Sequence, residues 1–271
     1  MKPVAFAYER PTVLTDALRL LAEDGDAKVI AGGQSLIPMM NFRLSRPAKL
    51  VDINQVKELS YIRKTDAGVA LGALVRHQEL HEDPLVRELL PVLADAAGEV
   101  GHWAIRTRGT LGGSLTHADP ASELPAAMVA LRAELELQSV DGTRTVPAEE
   151  FYLGLLTTDI QPGELLTAVH IPVSSAKSYG FAEFARRPGD FALAGAFVAL
   201  AENGAAEVTW FGVSGGPERR ELDLPADDTA RRQRLAEVAQ ELDPLSEPEY
   251  RRQLAVEVAE AAYQNARGRR A

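Results

Sequence analysis

The sequence predicts an α+β chain with three sub-regions, and three observations carry that expectation. Short β-branched runs alternate with helical periodicities over most of the chain. Two segments share one layout of apolar residue, glycine pair and hydroxyl: Ala31-Gly32-Gly33-Gln34-Ser35 and Leu111-Gly112-Gly113-Ser114. After Asp227 the pattern turns helical to the end.

The elements follow in order. Residues 12–25 read as a helix capped by Thr12, carrying Leu14, Ala17, Leu18 and Leu21 on one face and closed by Gly25. A strand over 28–31 runs into the first glycine pair, a helical turn follows over 37–42, and a second strand spans 49–53. Residues 61–63 and 69–73 form a hairpin about Asp66-Ala67-Gly68, and helices cover 77–82 and 85–100. A helix over 125–132 and a strand over 134–140 lead to the Asp141-Gly142 turn. Strands at 164–171, 180–185, 192–200 and 207–212 precede the long helix of about 248–267. Pro, Ser and Lys collect over 173–179, and a second weak boundary lies at Val56-Lys57. The expected partition is 1–56, 57–175 and 176–271.

Composition excludes several classes. With 39 acidic against 29 basic residues, the formal charge of −10 argues against nucleic-acid or anionic-membrane partners. The basic clusters at 231–234 and 267–270 read as solvated surface. The chain has no cysteine, which removes disulfides, thiolate nucleophiles, thiolate zinc sites and ordinary iron–sulfur ligation. MKPVAFAYERPT lacks the apolar core of a secretory signal, and no run nears the roughly 20 apolar residues of a membrane span, so a cytoplasmic protein is expected.

Glycine removes the Cβ, so successive N–H groups converge on one anion, and a following helix start adds its positive end. A tight strand-to-helix turn is the alternative for AGGQS alone. The second segment adds donors from another side, as a diphosphate requires. Neither is a Walker loop nor a G-x-G-x-x-G fingerprint. His77 and His81 stand at helical zinc spacing but lack the adjacent glutamate and a third ligand. Ser114, His117 and Asp119 have triad chemistry but crowd one segment with no nucleophile elbow. No metal site and no catalytic residue is expected.

AGGQSLIPMMNFRL with LVDIN, then RTRGTLGGSLTHADPASELP, RRPGDFALAGAFVAL and FGVSGGPERR, resemble the FAD-binding medium subunit of molybdenum hydroxylases. Carbon monoxide dehydrogenase and the xanthine dehydrogenase family belong to that group. The resemblance implies a vanillyl-alcohol-oxidase-like (PCMH-type) fold, with FAD between two α+β subdomains and a third α+β domain closing over it. It implies that Ala31, Gly32, Gly33, Gln34, Ser35 and Leu36 wrap the pyrophosphate. Thr110, Leu111, Gly112, Gly113 and Ser114 would approach the diphosphate and ribitol. Glu123 stands where relatives carry Asp and suits flavin hydroxyls, helix capping being its alternative. Leu166 resembles the position whose backbone reads the flavin edge. Arg187 would lie at the pyrimidine edge, with a surface ion pair to Asp190 as the alternative, and Phe191 would shield one flavin face.

The function implied is an electron-transfer subunit with non-covalent FAD. Its partners would be a molybdopterin-bearing large subunit and a [2Fe-2S] small subunit, assembled as a dimer of heterotrimers. The rival readings are a free-standing FAD oxidoreductase and a non-enzymatic nucleotide-binding protein.

Overall fold

A computed structural model describes residues 1–173 and 176–269. The N-terminal body alternates strand and helix: β1 (Ala7–Glu9), α1 (Leu14–Ala22), β2 (Ala27–Ile30), α2 (Leu36–Asn41) and β3 (Lys49–Asp52). Its sheet is parallel in the order β1-β3-β2, so each helix serves as a crossover. Ala17, Leu18 and Leu21 of α1 pack with Val51, Ile53, Val56 and Leu59. Thr12 does not cap α1. Val13 holds the N-cap position, and the Leu14 N–H is taken by the Glu58 carboxylate, which the fold brings from 44 residues away.

The middle body comprises β4 (Ile62–Lys64), β5 (Gly68–Gly72), α3 (His77–Glu82), α4 (Pro84–Leu89), α5 (Pro91–Glu99), α6 (Trp103–Arg106), α7 (Leu111–His117) and α8 (Glu123–Ala130), then β6 (Glu134–Ser139), β7 (Gly142–Pro147), α9 (Ala148–Phe151), β8 (Tyr152–Gly154), β9 (Thr157–Thr158) and β10 (Leu165–Pro172). β8 pairs with β9, and the other strands form an antiparallel sheet ordered β4-β5-β10-β6-β7. The helix expected over 85–100 is two helices. Pro91 biases Leu90 out of the helical region (φ −136°, ψ 52°) and starts α5 afresh.

The C-terminal body is a four-stranded antiparallel meander, β11 (Lys177–Phe184), β12 (Ala194–Ala201), β13 (Ala205–Phe211) and β14 (Glu218–Asp223), backed by α10 (Asp228–Ala239) and α11 (Pro248–Gly268). Ala196, Val198 and Trp210 face these helices. Phe181, Phe197 and Phe211 face the opposite way into the middle body's core. Every residue of α8 is buried, because α8 lies between its own body and this sheet. The boundary expected after 175 falls on 174–175, outside the described residues.

The basic run at 231–234 is not simply solvated surface. Arg231 is fully buried and forks onto Glu260 at 2.8 and 2.7 Å, with Tyr263 under its guanidinium at 4.1 Å. Arg269 likewise is held, by Asp95 and the Tyr179 carbonyl.

Candidate functional site

β2 ends at Ile30, and the chain turns through 31–35 into α2 with Gly33 in the left-handed region (φ 72°). The carbonyls of this turn are occupied. Ala31 O accepts from Asn54 Nδ2 (2.7 Å), Gly32 O from Gln34 Nε2 (2.9 Å) and Gly33 O from the Ile37 N–H (3.1 Å). Its amides are not. Among the described residues, no protein acceptor takes the N–H of Gly32, Gly33, Gln34 or Ser35. Four consecutive donors are thus left without a protein acceptor, the property that backbone anion sites share.

The second glycine segment differs from the expectation of a matching turn: it is the first turn of α7. Thr110 is the N-cap, its hydroxyl accepting from Gly113 N–H at 3.1 Å. The Leu111 N–H donates to Val75 O (2.9 Å), Gly112 to Ala73 O (2.8 Å) and Ser114 to Thr110 O (3.1 Å). Its amides are therefore committed, and its glycines provide close approach. A Cβ on Gly112 would stand 2.8 Å from Ala73 Cβ.

The two segments meet directly. A Cβ on Gly32 would lie 2.3 Å from Arg108 O and 2.8 Å from Gly109 Cα. Between them and the third body opens a cleft of about 840 Å³. Its wall contains Ala31, Gly32, Gly33, Gln34, Ser35, Leu36, Thr110, Gly112, Gly113, Ser114, Glu123, Leu166 and Phe191. Phe191 is 60% exposed, with its ring on the rim of the cleft. Leu166 stands at an irregularity in the β10–β6 register, between Leu166 and Ala168, of the kind that redirects backbone groups beside sites.

Two expected contacts lie elsewhere. Leu111 is fully buried in the middle core, and its N–H is bonded to Val75, so neither side chain nor amide reaches the cleft. Arg187 lies outside the lining, exposed on a turn that the Asp190 N–H closes onto Arg187 O (3.1 Å). Gly189 (φ 83°) swings the chain so that Gly189, Asp190 and Phe191 face inward instead.

The electrostatics set the protonation of the wall. Burial raises Glu123 to about 7, with Glu99 and Asp119 adding. Outside the lining, burial raises Glu183 to about 8, helped by Glu123 and Glu99. Burial lowers His77 to about 4, with Arg76 and Arg106 adding to that effect, so the imidazole is neutral. His77 Nε2 lies 2.9 Å from Thr110 O, which only accepts, so Nε2 carries the proton. Ser114 Oγ, 3.0 Å from the same nitrogen, accepts too, and no base is available to activate it. His81 Nδ1 is spent on Ala94 O (2.9 Å), and no group of three or more metal-ligating side chains exists among the described residues. The pair at zinc spacing is structural: Gly109 and Gly98 leave room for the two rings.

Sequence reasoning missed His77, Asp119, Ser122, Gly101 and Ile105 on this wall. Asp119 was weighed only as a triad ingredient, and which side chains of 117–122 turn inward depends on α8 packing. His77 carried a signal only as a false zinc partner.

Fold and cleft together define an α+β protein with a ligand-sized cleft between its bodies, and comparison with known proteins gives the class of ligand. Residues 4–174 match the family described as FAD binding domain in molybdopterin dehydrogenase, and the chain belongs to that family. It is 46% identical over 220 residues to the 6-hydroxypseudooxynicotine dehydrogenase complex subunit alpha of Paenarthrobacter nicotinovorans, covering 80% of this chain and 74% of the relative. It is 45% identical over 203 residues to caffeine dehydrogenase subunit beta of Pseudomonas sp. strain CBB1, covering 74% and 69%. The structure superposes on a chain of carbon monoxide dehydrogenase from Hydrogenophaga pseudoflava with a TM-score of 0.94, 30% identity and 99% of both chains covered. Quinoline 2-oxidoreductase from Pseudomonas putida 86 gives 0.93, with 35% identity and 99% of both chains. The chain is an oxidoreductase subunit that binds FAD and serves a multi-subunit molybdenum hydroxylase. The residues fit that cofactor, with unpaired amides for a diphosphate and a buried carboxylate for hydroxyl groups.

Proposed function

We propose that the chain holds FAD non-covalently, with the diphosphate on the amides of 32–35. It would take electrons from [2Fe-2S] clusters of a small partner subunit and pass them to an external acceptor. Bound FAD supplies redox chemistry that accepts electrons singly and releases them in pairs. The observation that carries the reading is the row of four N–H groups that have no acceptor among the described residues, in a cleft whose wall also includes the start of α7.

The side chains divide the remaining work. Thr110, Gly112, Gly113 and Ser114 supply a wall without bulk, and the Ser114 hydroxyl has its hydrogen free to donate. Gln34 braces its own turn through Gly32 O, and Leu36 closes the apolar side. Glu123 accepts from flavin hydroxyls, Leu166 meets the flavin edge at the bulge, and Phe191 shields one ring face. Leu111 acts only through the core. Arg187 is not offered as a contact.

The chain's own lack of cysteine requires the clusters to sit in a partner. A molybdenum-bearing large subunit completes the complex, as a dimer of heterotrimers in the cytoplasm. No described helix is long and apolar enough to cross a membrane. The partition into 1–56, 57–175 and 176–271 assigns the cleft to the first two units, with the third closing it.

Purification from native cells tests this. One FAD per chain, released to the supernatant by acid, is expected to accompany molybdenum- and iron-bearing subunits. Colour left on the denatured protein would contradict non-covalent binding, and a flavin-free complex would contradict the assignment.

A further inference from the structure

Behind the wall of the cleft, a chain of polar side chains ties the two glycine segments together without itself lining the cavity. Asn54 follows β3 by two residues. Its Nδ2 donates to Asp52 Oδ1 at 2.6 Å and to Ala31 O at 2.7 Å. Its Oδ1 accepts from Arg76 Nη2 at 2.8 Å. The other terminal nitrogen of that guanidinium, Nη1, donates to Arg108 O, the carbonyl against which Gly32 packs. Each end is braced. Asp52 also accepts the Tyr8 hydroxyl and the Asn54 N–H (2.9 Å). The Arg76 N–H donates to Glu79 Oε2 (2.8 Å), and its backbone bridges to Thr110.

We propose that Asn54 and Arg76 form a clasp that aims the diphosphate-binding amides and fixes their distance from α7. This rests on the reading of the cleft given above. The reason is the planarity of the peptide group. In a trans peptide the C=O of one residue and the N–H of the next point in opposite directions. No cis peptide occurs among the described residues. By holding Ala31 O from behind, Asn54 turns the Gly32 N–H toward the cleft. Gln34 does the same for the Gly33 N–H through Gly32 O, and Ile37 for the Gln34 N–H through Gly33 O. Of these three restraints only Asn54 comes from a distant part of the chain, 23 residues on, so it ties the turn's orientation to β3 and Arg76. Arg76 then couples that setting to the second segment through Arg108 O. The guanidinium fork is needed because it reaches both acceptors at once, which an ammonium does not reproduce. Asn54 and Arg76 are positioning residues, acting on the ligand through the backbone.

The test is flavin binding by the full chain after flavin removal, read by fluorescence quenching with FAD and with FMN. FMN carries one phosphate and can settle on either segment, whereas on this reading the diphosphate of FAD needs the amides of 32–35 held at a fixed distance from α7. Asn54→Ala, Asn54→Asp and Arg76→Lys are each expected to weaken FAD about tenfold or more, the size of one hydrogen bond to a charged group. FMN affinity and far-UV circular dichroism should stay near wild type. Asn54→Asp keeps the bond to Arg76 but replaces the donor to Ala31 O, so it should lose as much as Asn54→Ala. The Asn54→Ala, Arg76→Lys double variant should be no worse than the weaker-binding single. Unchanged FAD affinity, equal losses for FAD and FMN, or fully additive losses would each overturn the clasp. A wild-type chain that binds no FAD would instead overturn the cleft assignment itself.

Discussion

Gly32 and the Arg108 carbonyl are packed so closely that a methyl group on Gly32 would stand 2.3 Å from the oxygen. That oxygen does not retreat freely, because Arg76 holds it from the other side. The contact joins the N-terminal and middle bodies at the floor of the cleft.

Gly32→Ala therefore forces the two segments apart. An overpacked contact of this kind costs about 1–3 kcal/mol, and FAD affinity should fall with it. Urea unfolding of the flavin-free chain together with flavin titration checks both. A variant with normal stability and normal flavin content would show that the segments separate without consequence.

Gly33 and Gly113 should respond differently from each other. Gly33 has φ 72°, so Gly33→Ala pays the left-handed cost of about 1–2 kcal/mol. Gly113 is helical, and a Cβ there meets only Thr110 Oγ1 at 2.9 Å. Gly113→Val should keep the fold, as judged by circular dichroism, and still lose FAD because its branches enter the cleft. Full flavin occupancy in Gly113→Val would remove α7 from the binding wall.

How much of this was legible in the sequence varied with the range of the interactions. AGGQS was readable because a glycine pair after β-branched residues marks a strand end locally. The α7 start was not, since two adjacent glycines each cost a helix about 1 kcal/mol. The Thr110 cap and the approach to Ala73 outweigh that cost, and the latter is tertiary. β14 escaped notice because ERRELD carries charge on nearly every position, its alternation being satisfied by ion pairs such as Arg219 with Glu207. Arg231 lay in a run of charges, and its partner Glu260 is 29 residues away. Asn54 closes the LVDIN motif, but its reach to Ala31 and Arg76 exists only in the folded chain.

Stability of the flavin-free chain should depend on pH in two opposing ways. Glu123 and Glu183 rise from an ordinary 4.5 to about 7 and about 8. The folded state keeps protons that the unfolded state has released, so their contribution is full below 4.5 and is lost as pH rises toward 8. His77 falls from 6.5 to about 4, so its contribution is full above 6.5 and is lost as pH drops toward 4. Between 4.5 and 6.5 two carboxyls lose stability while one imidazole gains it, so the urea midpoint is expected to peak near pH 4.5 and to fall above it. Glu123→Gln should flatten the alkaline limb; an alkaline slope identical to wild type would contradict the buried, raised carboxyl.

Arg231→Ala leaves Glu260 buried without its partner, and breaking such a pair costs about 3–5 kcal/mol. The loss should appear in urea unfolding, while FAD content of the folded fraction stays at wild type, since neither residue lines the cleft. A selective loss of flavin would link α10 and α11 to the site.

Arg187→Ala should leave FAD affinity unchanged, because the exposed turn carries this side chain outside the wall. A tenfold loss on titration would show that the turn folds inward over bound flavin.

The proposed site rests on the amides of Gly32, Gly33, Gln34 and Ser35, which have no acceptor among the described residues and would meet the cofactor. Amide hydrogen exchange on the chain with and without FAD measures this directly. Without a hydrogen-bonded acceptor these four N–H groups should exchange rapidly in the flavin-free chain. With FAD bound, the same four should slow together, while the already bonded Leu111 and Gly112 amides change little. Protection of 32–35 before FAD is added, or none after it binds, would contradict the account.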